Sequence, residues 1–284
     1  MPNVLDIRRR IRSVKNTQQI TRAMKMVAAA RLRRAQERVF NARPYANQMR
    51  ALLSSAAART EQRAHPVLAV RPGDMVLLVL VTSDKGLCGA FNANLIRAAN
   101  NYLDEHREQQ VSMLAVGRKG RDHFQKRPVE MLGEYVNLSG RLEFTHAQKM
   151  AAQIIDLYSQ AKVDAIDFIY NEFKNILRQR LTVERYLPIR LVAPAKEETL
   201  VDYIYEQPAA EIYGVLLPRY VEIEVYRALL ESQAAELAAR MTAMDAATTN
   251  AAELIDSLTL YLNRVRQAAI TKEIIEIVSG AATT

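Results

Sequence analysis

The chain has 284 residues, of which 49% are hydrophobic and 25% are charged, and its formal net charge is +8. This balance excludes a disordered or low-complexity chain, and no apolar run approaches the roughly 20 residues that a membrane-spanning helix needs. The single cysteine, Cys88, excludes an internal disulfide and a cysteine zinc cluster, and it suits a reducing, cytoplasm-like compartment. The four histidines include no i, i+4 pair, so we expect no histidine metal site.

The first segment, residues 1–65, is predicted to form one long helix that ends at Pro66. Between Pro2 and Pro44 it contains neither proline nor glycine, and good helix formers dominate it. Small or apolar residues recur at steps of three and four, which predicts a narrow seam of the width that a coiled-coil partner covers. The seam residues are Val4, Ile7, Ile11, Val14, Thr17, Thr21, Met24, Ala28, Leu32, Ala35 and Val39.

The middle segment, residues 66–207, alternates between strand-like and helical stretches. Residues 76–81 form a continuous apolar run, as in a strand that is buried on both faces. Helices are predicted at 92–106, 120–125 and 145–161, and further strands at 111–116, 129–138, 165–170 and 180–189. This alternation predicts a Rossmann-like α/β domain with a largely parallel sheet.

The last segment, residues 208–284, is predicted to be a second long helix with a clearer seam. It has no glycine between Gly214 and Gly280, and a helix of this length would extend about 105 Å at ~1.5 Å per residue. A globular core does not cover a helix of that length, so a helical partner or an enclosing sleeve is required. The seam residues are Leu230, Gln233, Leu237, Met241, Met244, Thr248, Ala251, Ile255, Leu258, Leu262, Val265 and Ala269.

The distribution of charge favours pairing of the two terminal helices. Residues 1–50 carry thirteen Lys or Arg against two acids, whereas residues 208–284 carry six against ten. Opposite net charge and similar seam spacing predict that the helices pair antiparallel. The predicted fold is therefore α/β, with an α/β domain at 66–207 inserted into a long antiparallel coiled coil of the N- and C-terminal helices.

The turn Ser83–Gly89 places Ser, Asp, Lys and Cys directly after a strand, where α/β folds often hold chemistry. The sequence has no Gly-x-Gly-x-x-Gly or Gly-x4-Gly-Lys-Ser/Thr motif, so neither dinucleotide nor P-loop phosphate binding is indicated. No histidine lies close in sequence to activate Cys88. We favour a turn that packs or docks. The alternative is an enzyme that uses Cys88 or Ser83 as its nucleophile.

Basic runs at residues 8–12 and 31–34 leave a nucleic-acid-binding alternative open, because such residues contact phosphates. Against it, Phe40 and Tyr45 are the only aromatic residues in the first fifty, so a stacking platform is missing. An acidic C-terminal helix paired alongside would also neutralise much of the basic stripe.

Three long stretches resemble the gamma subunits of F-type ATP synthases, in the order in which that family carries them, and two shorter stretches also fit. They are TRAMKMVAAA at 21–30, SDKGLCGAFN at 83–92, YIYE at 203–206, RMTAM at 240–244 and RQAAITKEIIEIVSGAA at 266–282. The resemblance implies a central-stalk rotor inside a ring of three alpha and three beta subunits. Its foot would lie with epsilon on the c ring, and ion-driven rotation would cycle the catalytic beta sites.

The resemblance also implies site residues by position. Contacts with the alpha/beta head are expected at Met24, Lys25, Lys85, Cys88, Arg266, Gln267, Thr271, Glu273 and Glu276. Contacts with epsilon and the c ring are expected at Tyr203, Tyr205 and Glu206. The resemblance implies no catalytic residue, metal or cofactor on this chain.

A cellular setting follows from the same resemblance. Plant chloroplast relatives carry a cysteine pair for thiol control, but Cys88 is the only cysteine here, so such control is not expected. The N-terminal residues are unlike a transit leader, and we expect a bacterial enzyme with this subunit peripheral to the cytoplasmic face of the plasma membrane.

Overall fold

The computed structural model describes residues 4–57, 65–138, 140, 142–189 and 209–281. The helices are α1 (Val4–Ala57), α2 (Phe91–Glu105), α3 (Arg118–Phe124), α4 (Phe144–Ser159) and α5 (Ala209–Ala281). The strands are β1 (Met75–Val81), β2 (Gln110–Val116), β3 (Met131–Tyr135), β4 (Ala165–Phe173) and β5 (Gln179–Leu187), and a 3-10 turn at Pro66–Leu68 precedes β1.

The described residues fall into two compact units. Unit 1 lies within Met1–Ala29 and Arg240–Thr284, and unit 2 lies within Ala30–Ala239. Unit 2 therefore contains parts of both long helices together with the sheet. The predicted boundaries at residues 65 and 207 follow chain segments rather than compact units, and they stay a prediction.

Unit 1 is an antiparallel pair of helical segments. The hydroxyl oxygens of Thr21 and Thr248 lie 2.8 Å apart, and Lys25 donates to Asp245, so residue numbers rise on one helix as they fall on the other. Along α1, Ile7, Thr21 and Ala28 are buried in this pair. The predicted antiparallel coiled coil is confirmed, and its seam has the period expected of such packing.

Two seam positions in unit 1 were predicted wrongly. Thr17 is exposed, with its hydroxyl donating to the carbonyl of Ser13, and Gln18 takes the half-buried place instead. A straight helix drifts relative to a strict seven-residue repeat, which explains a shift by one position. Ala269 is also exposed, because the half-buried seam of α5 ends at Val265.

Unit 2 is built on a five-stranded sheet in the order β3-β2-β1-β4-β5. β1 pairs in parallel with β2 and β4, β2 pairs in parallel with β3, and β5 joins β4 antiparallel at one edge. Val76 to Val81 are all buried, which confirms a central strand covered on both faces. The largely parallel sheet predicted from the sequence is thereby confirmed.

Element boundaries differ from prediction mainly at β3 and β4. β3 spans only Met131–Tyr135, because its register with β2 shifts between Met113 and Leu114 and the chain turns at Asn137, whose φ is 64°. β4 runs on to Phe173, three residues beyond the predicted end, because β5 pairs with it along that whole length. Among the described residues, none of the helices is both long and apolar enough to cross a membrane.

Candidate functional surfaces

The loop after β1 is held by its own polar side chains. The carboxylate of Asp84 accepts the backbone N–H groups of Arg118, at 3.2 Å, and Asn137, at 2.8 Å. The hydroxyl of Thr82 donates to the carbonyl of Val116, at 2.9 Å, and accepts the N–H of Gly120, at 2.8 Å. These bonds tie the ends of β1 and β2 to the start of α3, so Asp84 has a structural task.

The candidate nucleophiles Ser83 and Cys88 belong to the same bonded loop. Ser83 donates its hydroxyl proton to the carbonyl of Lys85, at 2.6 Å, and the side-chain amide of Asn92 donates to Ser83 Oγ, at 2.8 Å. The same amide lies 3.2 Å from Cys88 Sγ, and Cys88 is only 1% exposed. A thiol buried in this way is inert rather than reactive, which argues against the nucleophile alternative.

Helix α5 covers the crevice where open α/β sheets usually bind ligands, beyond the carboxyl ends of the strands. The hydroxyl of Ser232 lies 3.5 Å from the carbonyl oxygen of Val81, the last residue of β1. Leu229, Ser232 and Glu236 help to line a cavity of about 40 Å³ at this edge, which is room for water but not for a nucleotide. The position of a ligand site is therefore filled by the chain's own helix.

The outer side of the same loop faces solvent. Lys85 is exposed, and Leu87 is exposed in the left-handed region at φ 63°. A bulky residue with positive φ is uncommon and is held in place by the surrounding bonds. Of the two predicted head contacts in unit 2, Lys85 is thus accessible, whereas Cys88 lies beneath it in the loop.

The predicted site residues on α1 lie in unit 1, on the paired helices. Met24 is half-buried in the seam, and the Nζ atom of half-buried Lys25 is bonded to a carboxylate oxygen of Asp245 on α5. Sequence reasoning missed Asp245 as the partner of Lys25, because the register between the two helices was unknown.

The predicted site residues on α5 lie on an exposed extension. Every residue from Arg266 to Ser279 is exposed, including Gln267, Thr271, Glu273 and Glu276. The extension also exposes a run of large aliphatic side chains at Ile270, Ile274, Ile275, Ile277 and Val278. A contiguous exposed run of large aliphatic side chains is typical of an interaction site. The remaining predicted residues, Tyr203, Tyr205 and Glu206, lie outside the described residues.

Sequence reasoning missed a group of buried charges in unit 2. Arg43 of α1 donates from Nε and Nη2 to the two carboxylate oxygens of Glu231 on α5, at 2.8 and 3.0 Å. The same guanidinium donates to the carbonyl of Phe173, at 2.7 Å, and Glu231 accepts the N–H of Phe173, at 3.0 Å. We call Arg43, Glu231 and Phe173 the Arg43–Glu231 junction. The hydrogen bonds that the Arg43 guanidinium donates to Glu231 raise the pKa of Arg43 above its usual value.

A second set of charges lies seven residues away on each helix. Arg50 of α1 donates to Glu224 of α5, at 3.0 Å, and Arg227 also donates to Glu224, at 2.8 Å. The Tyr186 hydroxyl of β5 donates to the carbonyl of Glu224, at 3.2 Å, and burial raises the pKa of Tyr186 well above 10.0. The acidic residues of α5 entered the sequence prediction only as net charge opposite to that of α1, and nothing in the pattern marked Glu224 and Glu231 as buried.

Comparison with known proteins places these surfaces in a family. The family model described as ATP synthase matches residues 3–283. The ATP synthase gamma chain of Solibacter usitatus is 54% identical over 99% of both chains, and that of Desulfitobacterium hafniense is 48% identical over 99% of both. The chain belongs to the ATP synthase gamma family. A gamma chain is a non-catalytic subunit of the synthase, whose catalytic sites lie in the beta subunits.

Chains from solved mitochondrial ATP synthases share the fold. The chain is similar to one from the central stalk and c ring of the Tetrahymena thermophila mitochondrial ATP synthase, with 28% identity, a TM-score of 0.62 and coverage of 80% of this chain and 99% of that one. A chain of the Euglena gracilis mitochondrial ATP synthase gives a TM-score of 0.68 at 20% identity, covering 99% and 94%, which shows the fold alone. As a gamma-family member, this chain is a central-stalk subunit.

Proposed function

We propose that this chain is the rotor shaft that couples ion-driven rotation of a c ring to the conformational cycling of catalytic beta sites. The proposal rests on the exposed extension of α5 from Arg266 to Ser279. Its large aliphatic side chains are exposed in this chain, and a partner subunit would bury them and so provide a cover. A head of three alpha and three beta subunits around one copy of this chain would supply that cover.

The helix pair of unit 1 supports a torsionally stiff shaft. α1 and α5 contain no glycine inside the paired segments, and their seam is packed at steps of three and four. The surface is uneven in charge, since α1 is strongly basic and α5 is mildly acidic. Exposed pairs of opposite charge are individually weak, so acidic loops of a beta ring would attract this surface without locking it.

Specific contacts follow from the accessible positions. We assign Met24 and Lys25 to the surface that faces the beta subunits. Arg266, Gln267, Thr271, Glu273 and Glu276 are assigned to contacts with the head. Lys85 would contact the head from its exposed loop, and Cys88 would contribute by holding that loop in shape.

The foot of the subunit is assigned to Tyr203, Tyr205 and Glu206, which would meet an epsilon subunit and the c ring. A bacterial enzyme of this kind is a membrane-associated complex. We therefore place the chain on the cytoplasmic face of the plasma membrane, peripheral to it through its partners.

Reconstitution tests the proposal. The purified chain is mixed with separately expressed alpha and beta subunits, and complex mass and ATP hydrolysis are followed. We expect a complex of three alpha, three beta and one copy of this chain, with hydrolysis well above that of alpha and beta alone. Failure to form a complex, with the chain instead retained by DNA or RNA at physiological salt, would overturn the rotor assignment.

A variant pair sharpens the test. Ile274→Asp places a charge on the exposed aliphatic run of α5 and should abolish the stimulation of hydrolysis. Val70→Asp makes the same change at an exposed position of unit 2, remote from α5 in sequence, and should leave hydrolysis unchanged. Equal activity of both variants would show that the aliphatic run is not a contact with the head.

A further inference from the structure

The Arg43–Glu231 junction is built from directional bonds where apolar packing would suffice for stability. The Glu231 side chain is 1% exposed, and its carboxylate is satisfied by the Arg43 guanidinium and by the N–H of Phe173. Replacing a buried ion pair with apolar residues of similar volume is often neutral or stabilising. Stability alone therefore does not account for a carboxylate and a guanidinium at this position.

The place of the junction in the sheet explains what the bonds do. Phe173 is the last residue of β4, and the registered pairing of β4 with β1 ends earlier, at Ile169. Beyond that point β4 has no registered partner in β1. The peptide N–H of Phe173 donates to the carboxylate of Glu231, and its carbonyl accepts from the guanidinium of Arg43. One side chain from each long helix is thus joined to the backbone of the sheet at a single residue.

A second tie lies one heptad further along both helices. Arg50 to Glu224 repeats the pairing of Arg43 to Glu231 after seven residues on α1 and on α5, which is about 10.5 Å at ~1.5 Å per residue. Tyr186 then joins that second pair to β5. Two ties separated along the helices resist tilting, and they also resist rotation because each is attached off the helix axis, whereas apolar contact is non-directional.

We propose that the Arg43–Glu231 junction transmits torque between the sheet of unit 2 and the long helices. The inference rests on the proposed rotor function and names the residues through which the load enters the shaft. Arg43 and Glu231 are positioning residues. They hold the helices at a fixed angle to the sheet, and without them the helices would twist relative to it under load.

The experiment uses the whole ATP synthase assembled with this chain in sealed vesicles. ATP hydrolysis and ATP-driven proton pumping are measured on the same preparation, and the thermal midpoint is measured on the purified subunit. The test variant combines Arg43→Met with Glu231→Leu, which keeps apolar volume and removes the directional bonds. The matched control combines Arg107→Met with Asp104→Leu, an exposed Arg–Asp pair of unit 2.

We expect the test variant to have a lower thermal midpoint, because the peptide N–H and carbonyl of Phe173 lose their partners, but to assemble and to keep its hydrolysis while losing most of its proton pumping per ATP. We expect the control to behave as wild type. A purely structural role would lower midpoint, assembly and hydrolysis together and leave the ratio of pumping to hydrolysis unchanged. A folded test variant that pumps as wild type would overturn the inference. If the test variant does not fold, Glu231→Gln replaces it, because glutamine keeps the side-chain volume and an oxygen that accepts the N–H of Phe173. A ratio of proton pumping to hydrolysis equal to that of wild type in this variant would then overturn the inference.

The control for the underlying function is the wild-type complex. If wild type neither stimulates hydrolysis nor pumps protons, the rotor function itself fails. If wild type pumps and the variants also pump normally, only the torque role of the junction fails.

Discussion

Three glycines allow the contact between Thr82 and the start of α3 to be measured by single substitutions. Gly117 has a φ of +87°, and a Cβ there would overlap the carbonyl oxygen of Thr82. Gly140 has a similar φ of +92°, but a Cβ there would meet nothing within 4 Å. Gly120 has an ordinary helical φ, and its Cβ would lie 2.9 Å from Thr82 Oγ1. The set separates backbone strain from steric overlap.

The expected costs follow from these geometries. Gly140→Ala carries only left-handed strain, about 1 kcal/mol. Gly117→Ala adds an overlap with fixed backbone, about 1–3 kcal/mol more, for a total of about 3 kcal/mol. Gly120→Ala disturbs Thr82 but gains helix propensity, so we expect a net cost of about 1 kcal/mol. At about 2–4 °C per kcal/mol for a unit of this size, Gly117→Ala should lower the thermal midpoint by about 9 °C.

The assay is urea unfolding of the purified subunit followed by tyrosine fluorescence. The sequence has no tryptophan, and eleven of its twelve tyrosines lie between residues 30 and 239, so the signal reports unit 2. Adding Thr82→Ala to Gly120→Ala should cost less than the sum of the two single changes, because the overlap is then gone. Equal stability of Gly117→Ala and Gly140→Ala would refute the reasoning, since the Thr82 carbonyl would then impose no steric cost.

Three further predictions concern polar groups. Thr21→Val should cost about 1 kcal/mol, because it removes the bond to the Thr248 hydroxyl, which keeps its bond to the carbonyl of Met244. Thr248→Val should then cost less in the Thr21→Val background than in wild type, because the shared bond is already gone, and a double-mutant cycle in urea checks this. Breaking the partly exposed Lys25–Asp245 pair with Asp245→Asn should cost less than about 1 kcal/mol and nothing measurable at 1 M salt, and unfolding curves repeated at both salt concentrations check this. Burial raises the pKa of Tyr170 above 10.0, so the stability that the neutral phenol contributes is fully present below pH 10 and is lost as the pH rises above that value. Tyr170→Phe should therefore reduce the fall in thermal midpoint at alkaline pH, which thermal unfolding at a series of pH values checks.

The sequence pattern predicted the elements and the pairing of the helices because those depend on local periodicity. The steps of three and four placed Ala28, Leu32 and Met244 in buried positions, and the apolar run of β1 identified the central strand. The exposed aliphatic tip was predictable in the same way, from a helix too long for its own core.

The buried charges were not predictable from periodicity. Glu231 is acidic and stands one residue after the seam residue Leu230, and only tertiary packing places Phe173 and Arg43 beside it. In the same way, the sequence located the turn at Ser83 but gave no sign that α5 fills the crevice beside it. Contacts between residues far apart in sequence depend on register and topology, which composition and spacing do not encode.

The position of α5 over the carboxyl ends of the strands has a thermodynamic consequence. A nucleotide-sized ligand could enter that crevice only by displacing Leu229, Ser232 and their neighbours, so its binding would be linked to undocking of the helix. The free energy needed to undock α5 would therefore weaken the binding of any such ligand. The free energy of docking α5 thereby opposes occupation of this crevice by a nucleotide.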